Sequence, residues 1–411
     1  MTKIGISPKK IQNSSEIAVN SLEYEAQKLA SETLIIDTIA VFPGKKYPID
    51  YGKITEPDGA CVDLETRFRS RLIYEAKAQS LNLIRSHCII DTKFGTPLIH
   101  DGGRYIPVDG AFYHPYLPGK QAYIEEVNET LSASLSRGRV LDLRSSHQNS
   151  TIKFCLLGRW SKVYFHMLSE SLTHLNVIKK YFSNQNVAAI VIDDASSVQD
   201  IAISASRSSG FSEIRSNNRY IIANNVAYYT GFFQHASIND EFLDMINALK
   251  SAVIDTEGCN AVASHRERLI YVSRLTARAR PLENEAEITR IASDLGYEVV
   301  DPGKLSFREQ IFLFSSASVV VGPHGAGLAN ASFCSPGGIL LELRPMNRPG
   351  QSPMLNETYR KIAAAGALSY NFCIFENEKD SERWRADGAR VARALTAARE
   401  VKIASSISVS R

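Results

Sequence analysis

The second half of the chain alternates short apolar runs with amphipathic helical patterns, and this alternation limits the fold more than any other feature. Runs that are apolar along their whole length recur from position 242 onward, separated by residues with helical spacing. Such strands are typical of a parallel sheet with helices on both faces. We therefore predict an α/β fold with a doubly wound parallel sheet. The predicted strands are Leu269–Val272, Tyr297–Val300, Ala317–Val321, Ile339–Leu343 and Leu368–Ile374.

Capping signals support the helices between these strands. Asn284 with Glu287, and Ser306 with Glu309, have the three-residue spacing of a capping box. A short helix is predicted over residues 325–333. The pattern therefore indicates successive strand–helix units.

A second, weaker α/β pattern lies upstream. Helical spacing over Val163–Phe182 is followed by the apolar run Val187–Ile192, and residues 81–107 have the pattern of hairpin strands broken by glycine and proline. Two such units in tandem imply a cleft between them. We predict four segments: an N-terminal extension, 1–85; a first Rossmann-like domain, 86–240; a second Rossmann-like domain, 241–379; and a basic C-terminal helix or tail, 380–411.

Composition excludes several other classes of protein. A chain of 411 residues with 44% hydrophobic and 22% charged residues is neither intrinsically disordered nor a disulfide-stapled miniprotein. Its six cysteines are scattered without a CxxC pair, and no run approaches the roughly 18 apolar residues of a membrane span. We therefore expect a cytoplasmic protein, for which peripheral membrane contact stays open.

The small net charge of +3 conceals a basic C-terminus. Residues 383–411 contain seven basic and two acidic side chains, so the rest of the chain is slightly acidic and a nucleic-acid partner is not expected. Apolar residues at helical spacing predict an amphipathic helix over residues 383–402. The helix could pack against the protein, or adhere to anionic lipid at the inner membrane face. The apolar positions are Trp384, Val391, Leu395 and Ala398.

The sharpest local motif is the glycine-rich sequence Val319-Val320-Val321-Gly322-Pro323-His324-Gly325-Ala326-Gly327-Leu328-Ala329-Asn330. A strand that runs directly into such a turn and a helix places unpaired backbone N–H groups at the carboxyl edge of the sheet. This arrangement favours an anionic ligand, and a tight turn with a core histidine is the alternative. The glycine spacing is not the G-x-G-x-x-G of dinucleotide binders, so a dehydrogenase is the weakest hypothesis.

Five arginines lie within fifteen residues around the first strand of this domain. Guanidinium groups match phosphate oxygens in geometry and charge. We predict that Arg274, which follows that strand, and one of Arg278 and Arg280 bind phosphate. Arg266 and Arg268 fit a solvent-exposed surface at least as well.

Glu342 lies near the end of the strand Ile339–Leu343. An acidic residue at such a strand end commonly accepts hydrogen bonds from ribose hydroxyls. An ion pair with Arg344 explains this residue equally well.

Titratable side chains also share one face of the helix in the first domain. His166, Glu170 and His174 are spaced four residues apart. A single helix offers no further ligand in register, so metal binding is disfavoured. A general base, His166, assisted by Glu170 makes better use of these residues, and a purely structural histidine stays open.

These residues together resemble glycosyltransferase family 61, whose bacterial members are often labelled capsular polysaccharide biosynthesis proteins. The resemblance covers about residues 81–374. Its N-terminal motif is Phe165-His166-Met167, with methionine where tryptophan is usual. Its C-terminal motifs are Tyr271-Val272-Ser273-Arg274, Arg280, Asn284-Glu285, Gln310, Gly322–Asn330, Phe333-Cys334-Ser335-Pro336-Gly337-Gly338 and Leu341-Glu342-Leu343.

The resemblance implies a GT-B architecture, in which two Rossmann-like domains face each other across a cleft. The first would lie on the acceptor side and the second would hold a nucleotide-sugar. The implied reaction is an inverting transfer to a hydroxyl of a glycan or lipid-linked acceptor in surface polysaccharide biosynthesis, without an obligatory metal or other cofactor. Positioned cations and N–H groups would stabilise the departing diphosphate, and His166, from the opposing domain, would deprotonate the acceptor.

Site residues follow from this resemblance and from the motifs. The predicted catalytic residues are His166 and Glu170, and Arg159 and Tyr164 are predicted on the acceptor side. The predicted donor-binding residues are Ser273, Arg274, Arg278, Arg280, Gln310, His324, Gly325, Ala326, Gly327, Asn330 and Glu342.

A second hypothesis for the function is a catalytically inactive paralogue that binds a nucleotide or nucleotide-sugar.

Overall fold

The chain is represented by a computed structural model, and the described residues fall into two compact units. The first unit is drawn from the stretches up to Phe42, Gln79–Lys162 and Val177–His235. The second is drawn from Pro43–Ala78, Val163–Asn176 and the chain from Ala236 onward. The described residues are 34–52, 65–66, 69–108, 119–144, 150–158, 160–193, 195–233, 238–257, 268–275, 279–347, 357–378 and 381–409.

The division differs from the predicted segments at two places. Residues 163–176, which the sequence assigned to the first Rossmann-like domain, group with the C-terminal half of the chain. Part of the predicted N-terminal extension, residues 43–78, groups with it as well. The second unit is therefore assembled from three separate stretches of sequence.

The strands are numbered in chain order. They are β1 (Ile36–Phe42), β2 (Lys45–Pro48), β3 (Asp50–Tyr51), β4 (Ile73–Ala76), β5 (Gln79–Ile84), β6 (Cys88–Asp91), β7 (Thr96–Asp101), β8 (Arg104–Pro107), β9 (Val140–Asp142), β10 (Ile152–Cys155), β11 (Val187–Val191), β12 (Ser212–Arg215), β13 (Tyr220–Ala223), β14 (Val226–Tyr229), β15 (Arg268–Val272), β16 (Glu298–Val300), β17 (Ala317–Pro323), β18 (Ile339–Pro345) and β19 (Ser369–Phe375).

The α-helices are numbered in the same way. Within the described residues, further helical segments have other geometries. A π-helical turn covers Met167–Leu172, and 3-10 helices cover Pro302–Lys304 and Ala326–Phe333. The α-helices are α1 (Gly119–Ser136), α2 (Tyr164–His166), α3 (Thr173–Phe182), α4 (Ser197–Ser208), α5 (Thr230–Phe233), α6 (Asp240–Glu257), α7 (Glu285–Asp294), α8 (Phe307–Ser315), α9 (Thr358–Ala365) and α10 (Gly388–Val409).

The first unit contains two sheets. The six-stranded sheet has the order β1-β5-β14-β10-β11-β12, in which β14, β10, β11 and β12 run parallel. β5 pairs antiparallel with both of its neighbours, β14 and β1. The five-stranded sheet has the order β8-β7-β6-β13-β9. Its hairpins lie where the sequence predicted them. Gly102 and Gly103 between β7 and β8 both have positive φ, which a two-residue turn of this kind requires.

The second unit is built on a six-stranded parallel sheet, which confirms the predicted α/β fold, and it also contains the antiparallel pair of β2 and β4. The strand order of the six-stranded sheet is β16-β15-β17-β18-β19-β3, and every pair in it is parallel. All five strands predicted from residue 268 onward are present, with ends shifted by one or two residues. Side chains of this sheet such as Val319, Leu341 and Leu343 are fully buried in one apolar core.

The two predicted capping boxes have different outcomes. The Ser306 box is confirmed, because its hydroxyl accepts from the Glu309 backbone N–H and the Glu309 carboxylate accepts from the Ser306 N–H. The Asn284 box is wrong. The Asn284 amide instead pairs with the Ala386 backbone, donating from Nδ2 at 2.8 Å and accepting at Oδ1 at 3.0 Å. Asn284 Nδ2 also donates to Glu287 Oε2 at 3.0 Å, so the two side chains meet without capping the backbone of the helix.

Helix α10 confirms an amphipathic C-terminal helix, although it begins at Gly388, five residues later than predicted, so Trp384 precedes it. Trp384, Val391, Leu395 and Ala398 belong to the core of the second unit. The Tyr297 hydroxyl donates to the Leu395 carbonyl at 2.8 Å. Because these side chains are buried in protein, this face is not available to a lipid surface. No helix in the described part of the chain is long and apolar enough to span a membrane.

We predict that Leu395→Ala lowers the free energy of unfolding by about 2–5 kcal/mol, because it leaves a cavity in this core. Chemical denaturation measures the change. Ile403→Ala is the matched control, since Ile403 lies on the same helix with 50% of its surface exposed, and its effect should stay within about 0.5 kcal/mol. Equal, small effects of both substitutions would show that the helix is not part of the core.

Candidate functional site

The order of the parallel sheet locates the candidate site. From β15 the chain passes to β16 on one side and then to β17 on the other side of β15. This reversal is a topological switch point, and open α/β sheets bind ligands in the crevice outside the carboxyl ends of the strands there. β15 leads into Ser273 and Arg274, and β17 leads into His324 and Gly325. The structure therefore brings the two predicted phosphate-binding motifs to the same place.

Arg274 lies directly against the glycine-rich turn. A Cβ atom at Gly325 would overlap the Arg274 guanidinium, so a side chain at this position would displace the guanidinium from its place against the turn. Nη2 of Arg274 donates to the Ala279 carbonyl at 2.7 Å, and its buried Nε has no partner among the described residues. Desolvation lowers the pKa of Arg274, and the nearby Tyr359 and Glu285 act against this shift. A cation with an unfilled donor in such a position suits an oxyanion.

Glu285 fixes the turn that carries Arg274. Its Oε1 accepts from the Ser273 hydroxyl at 3.2 Å and from the Arg274 backbone N–H. Burial raises the pKa of Glu285, and these two hydrogen bonds oppose the rise. Ser273, predicted to contact the donor, therefore uses its hydroxyl proton within the protein. The sequence motif contained Glu285, but no role was predicted for it.

Glu342 is fully buried and bonded within the protein. One carboxylate oxygen lies against Nδ1 of His324, the other accepts from the Tyr370 hydroxyl, and Nη1 of Arg344 lies 3.9 Å away. Burial alone would raise the pKa of Glu342, but Arg344 and His324 outweigh it and the pKa is lowered. The geometry thus favours the ion-pair alternative for Glu342 over the predicted contact with ribose.

The same contacts define the state of His324. Because the ionised Glu342 carboxylate can only accept, Nδ1 of His324 carries the proton. Burial, which Glu342 opposes and the Arg280 and Arg344 charges reinforce, lowers the pKa of His324 to about 4. The imidazole is therefore neutral at pH 7, with its lone pair at Nε2. An anionic ligand at Nε2 would favour uptake of a proton there.

The glycine-rich turn packs closely on β15. A Cβ at Gly322 would lie 2.7 Å from the Val272 carbonyl oxygen, and one at Gly327 would lie 2.9 Å from Val272 Cγ1. The helix that follows, Ala326–Phe333, is a 3-10 helix. Its first N–H groups, on Ala326 and Gly327, have no acceptor within the helix and so can serve a ligand.

Three predicted site residues bond to one another. The Tyr164 hydroxyl donates to Asn330 Oδ1 at 2.6 Å, and Asn330 Nδ2 donates to Gln310 Oε1 at 2.9 Å. Gln310 Nε2 donates to the Leu305 carbonyl at 3.2 Å. Gln310 and Asn330 are buried, so the structure assigns them to holding the 3-10 helix in place. Tyr164, predicted on the acceptor side, ties helix α2 to the same helix.

His166 and Glu170 form the pair that their spacing predicted. Nδ1 of His166 lies 2.7 Å from Oε1 of Glu170, and both side chains are buried. The next residues, Met167–Leu172, form a π-helical turn, a rare geometry that is frequent at functional sites. A histidine held at Nδ1 by a carboxylate presents Nε2 as a proton acceptor. The catalytic role of the pair stays a prediction.

Arg280 lies in the same neighbourhood with an unusual backbone. Its φ is 53°, in the left-handed region that residues other than glycine rarely adopt. The Arg280 carbonyl accepts from Trp384 Nε1 at 3.3 Å. Its charge acts on both His324 and Tyr359, so the side chain belongs to the site. The predicted residues Arg159 and Arg278 lie outside the described residues.

One buried side chain in the site escaped the sequence analysis. The Tyr359 hydroxyl donates to the Gly325 carbonyl at 2.5 Å, and its ring meets the His324 ring edge-on with centroids 5.2 Å apart. The residue lies on the ordinary amphipathic helix α9, so its sequence pattern carried no signal beyond core packing. Within the described part of the chain, no three His, Cys, Asp or Glu side chains are grouped to hold a metal ion.

We predict that Gly325→Ala abolishes most of the binding of nucleoside diphosphates, because the added methyl group displaces the Arg274 guanidinium. The shift in melting temperature caused by UDP, GDP, ADP and CDP measures this effect. The control is Gly366→Ala, where the nearest atom to an added Cβ is at 3.2 Å, and it should keep the ligand-induced shift. An unchanged shift in Gly325→Ala would remove Arg274 from the binding site.

Comparison with known proteins agrees with this geometry. A search of curated proteins finds no significant match. A family model described as Glycosyltransferase 61 matches residues 164–341. The matched stretch begins at Tyr164, next to the His166 pair, and includes the turn that carries Arg274, the glycine-rich motif and the first three residues of β18. Residues 164–341 thus match glycosyltransferase family 61, the family that the sequence motifs resemble.

Proposed function

We propose that this glycosyltransferase transfers a sugar, with inversion, from a nucleotide-sugar to a hydroxyl of a glycan or lipid-linked acceptor in the biosynthesis of a surface (capsular) polysaccharide. The observation that carries the donor class is the Arg274 guanidinium lying on Gly325 at the switch point of the parallel sheet. A nucleoside diphosphate has the charge and the shape that this arrangement accommodates.

The donor end of the site would stabilise the leaving group. As the bond between the sugar and the diphosphate breaks, the bonding electron pair stays on the phosphate oxygen. Arg274, Arg280 and the N–H groups of Ala326 and Gly327 supply positive charge and donors for that oxyanion without a metal ion. His324, held at Nδ1 by Glu342, would take up a proton at Nε2 when the diphosphate binds.

The acceptor would lose its proton to His166. Inversion needs one base that deprotonates the attacking hydroxyl while the new bond forms at the opposite face of the sugar carbon. Nε2 of His166 is the candidate base, and Glu170 stabilises the imidazolium that results. Although we expected the base to come from the opposing domain, residues 163–176 group with the glycine-rich turn in the second unit.

Other parts of the proposal rest on the resemblance to the family. These are the GT-B architecture, independence from metals and cofactors, and action at the cytoplasmic side of a membrane. The α/β sheet with parallel strands in each unit agrees with the first. Cys88, Cys155, Cys334 and Cys373 are free, buried thiols, which suits a reducing compartment. Membrane contact, if it uses the C-terminal helix, would depend on its basic side chains alone.

We predict that His166→Ala lowers kcat by about 10²- to 10⁴-fold and leaves nucleoside diphosphate affinity unchanged, because only the base is removed. Release of nucleoside diphosphate from a panel of nucleotide-sugars, with acceptor glycans present, measures turnover. Glu170→Gln should reduce kcat by a smaller factor, since the imidazole remains. Turnover that survives His166→Ala would exclude His166 as the base. Diphosphate binding without turnover of any donor by the unmodified protein would favour the inactive, nucleotide-binding paralogue.

A further inference from the structure

Tyr359 makes the contacts that connect the two halves of the proposed site. Its hydroxyl donates to the Gly325 carbonyl at 2.5 Å. Its ring lies edge-on to the His324 ring at 5.2 Å and to the Phe165 ring at 6.4 Å. Phe165 in turn lies against His166, with ring centroids 5.1 Å apart. Tyr359 therefore contacts both histidine-bearing segments of the second unit.

The hydroxyl contact controls the direction of a backbone donor. The peptide unit between Gly325 and Ala326 is planar and trans, so its carbonyl and N–H point in opposite directions. A hydrogen bond that holds the Gly325 carbonyl on the Tyr359 side aims the Ala326 N–H to the other side. The Leu328 N–H also donates to this carbonyl, at 2.9 Å, so two donors fix one peptide plane.

Residue 325 adds no side-chain restraint of its own. A side chain there would displace the Arg274 guanidinium, and glycine has more backbone freedom than any other residue. The turn that must present its N–H groups to an anion therefore depends on its neighbours for its orientation. The buried Tyr359 hydroxyl on helix α9 is one of the donors that restrain it.

The Tyr359 hydroxyl is suited to remain a hydrogen-bond donor. The residue is 3% exposed, and burial, reinforced by Glu342, raises its pKa well above the ordinary value for tyrosine. The proton therefore stays on the oxygen throughout the working pH range, and the hydrogen bond to Gly325 persists.

We propose that Tyr359 is a positioning residue that orients the glycine-rich turn for the donor diphosphate and connects that turn, through Phe165, to the His166 pair. The inference rests on the proposed function. The Tyr359 hydroxyl acts on donor affinity through Gly325, while the Tyr359 ring acts on the position of the base, His166.

Tyr359→Phe tests the hydroxyl. The substitution removes one oxygen atom and keeps the ring. For those of UDP, GDP, ADP and CDP that bind, the dissociation constant measured by calorimetry should rise about three- to tenfold. KM for the donor should rise in parallel, while kcat stays nearly unchanged. The matched control is Tyr297→Phe, which removes an equivalent hydroxyl that donates to the Leu395 carbonyl at 2.8 Å in the core. The control should lower the melting temperature and leave the dissociation constant unchanged.

Phe165→Leu tests the ring contacts independently. It retains the Tyr359 hydroxyl, so diphosphate affinity should be kept while kcat falls several-fold. If Tyr359→Phe and Phe165→Leu change only the melting temperature, as Tyr297→Phe does, Tyr359 is a structural residue and the inference is overturned. If the unmodified protein binds none of the four diphosphates, the proposed function itself fails, which separates the two outcomes. Should Tyr359→Phe not fold, an unchanged kcat in Phe165→Leu overturns the connection between turn and base.

Discussion

The contact between the Arg274 guanidinium and the bare backbone of Gly325 is the constraint on which the site depends. It requires that β15 and β17 be neighbours and that both deliver their turns to the same edge of the sheet, which the strand order provides. It also depends on glycine at position 325, because a side chain there would displace the guanidinium from this place. An arginine brought this close to the first N–H groups of a helix creates a cradle for an oxyanion that neither element would form alone.

Other groups hold this contact in place, and several of them are residues that the sequence analysis predicted to bind the nucleotide-sugar. Glu285 fixes the Arg274 turn, and the network of Glu342 with His324 and Tyr370 fixes the imidazole. Asn330 and Gln310 secure the helix after the glycine-rich turn. Buried polar groups such as these must find partners inside the protein, because an unpaired one costs the whole free energy of its desolvation. Many residues of the motif thus orient the cradle, while fewer are free to contact a ligand.

The local features of the sequence predicted the fold of the second unit well. Continuous apolar strands, the Ser306 capping box and the glycine-rich turn each depend on residues close in sequence, and each is present. The His166 and Glu170 pair was predictable because four residues separate them on one helical face. Features set by distant partners were not predictable. Asn284 pairs with the backbone of residue 386, and Tyr359 lies in a helix whose amphipathic pattern is fully explained by core packing. The grouping of residues 163–176 with the second unit likewise depends on tertiary contacts.

The most direct test of the account is a crystal structure of the protein with a bound nucleoside diphosphate. The account predicts that the phosphates lie at the carboxyl ends of β15 and β17, between the Arg274 guanidinium and the N–H groups of Ala326 and Gly327. Phosphates bound elsewhere on the chain, with Arg274 and the glycine-rich turn not contacting them, would contradict it.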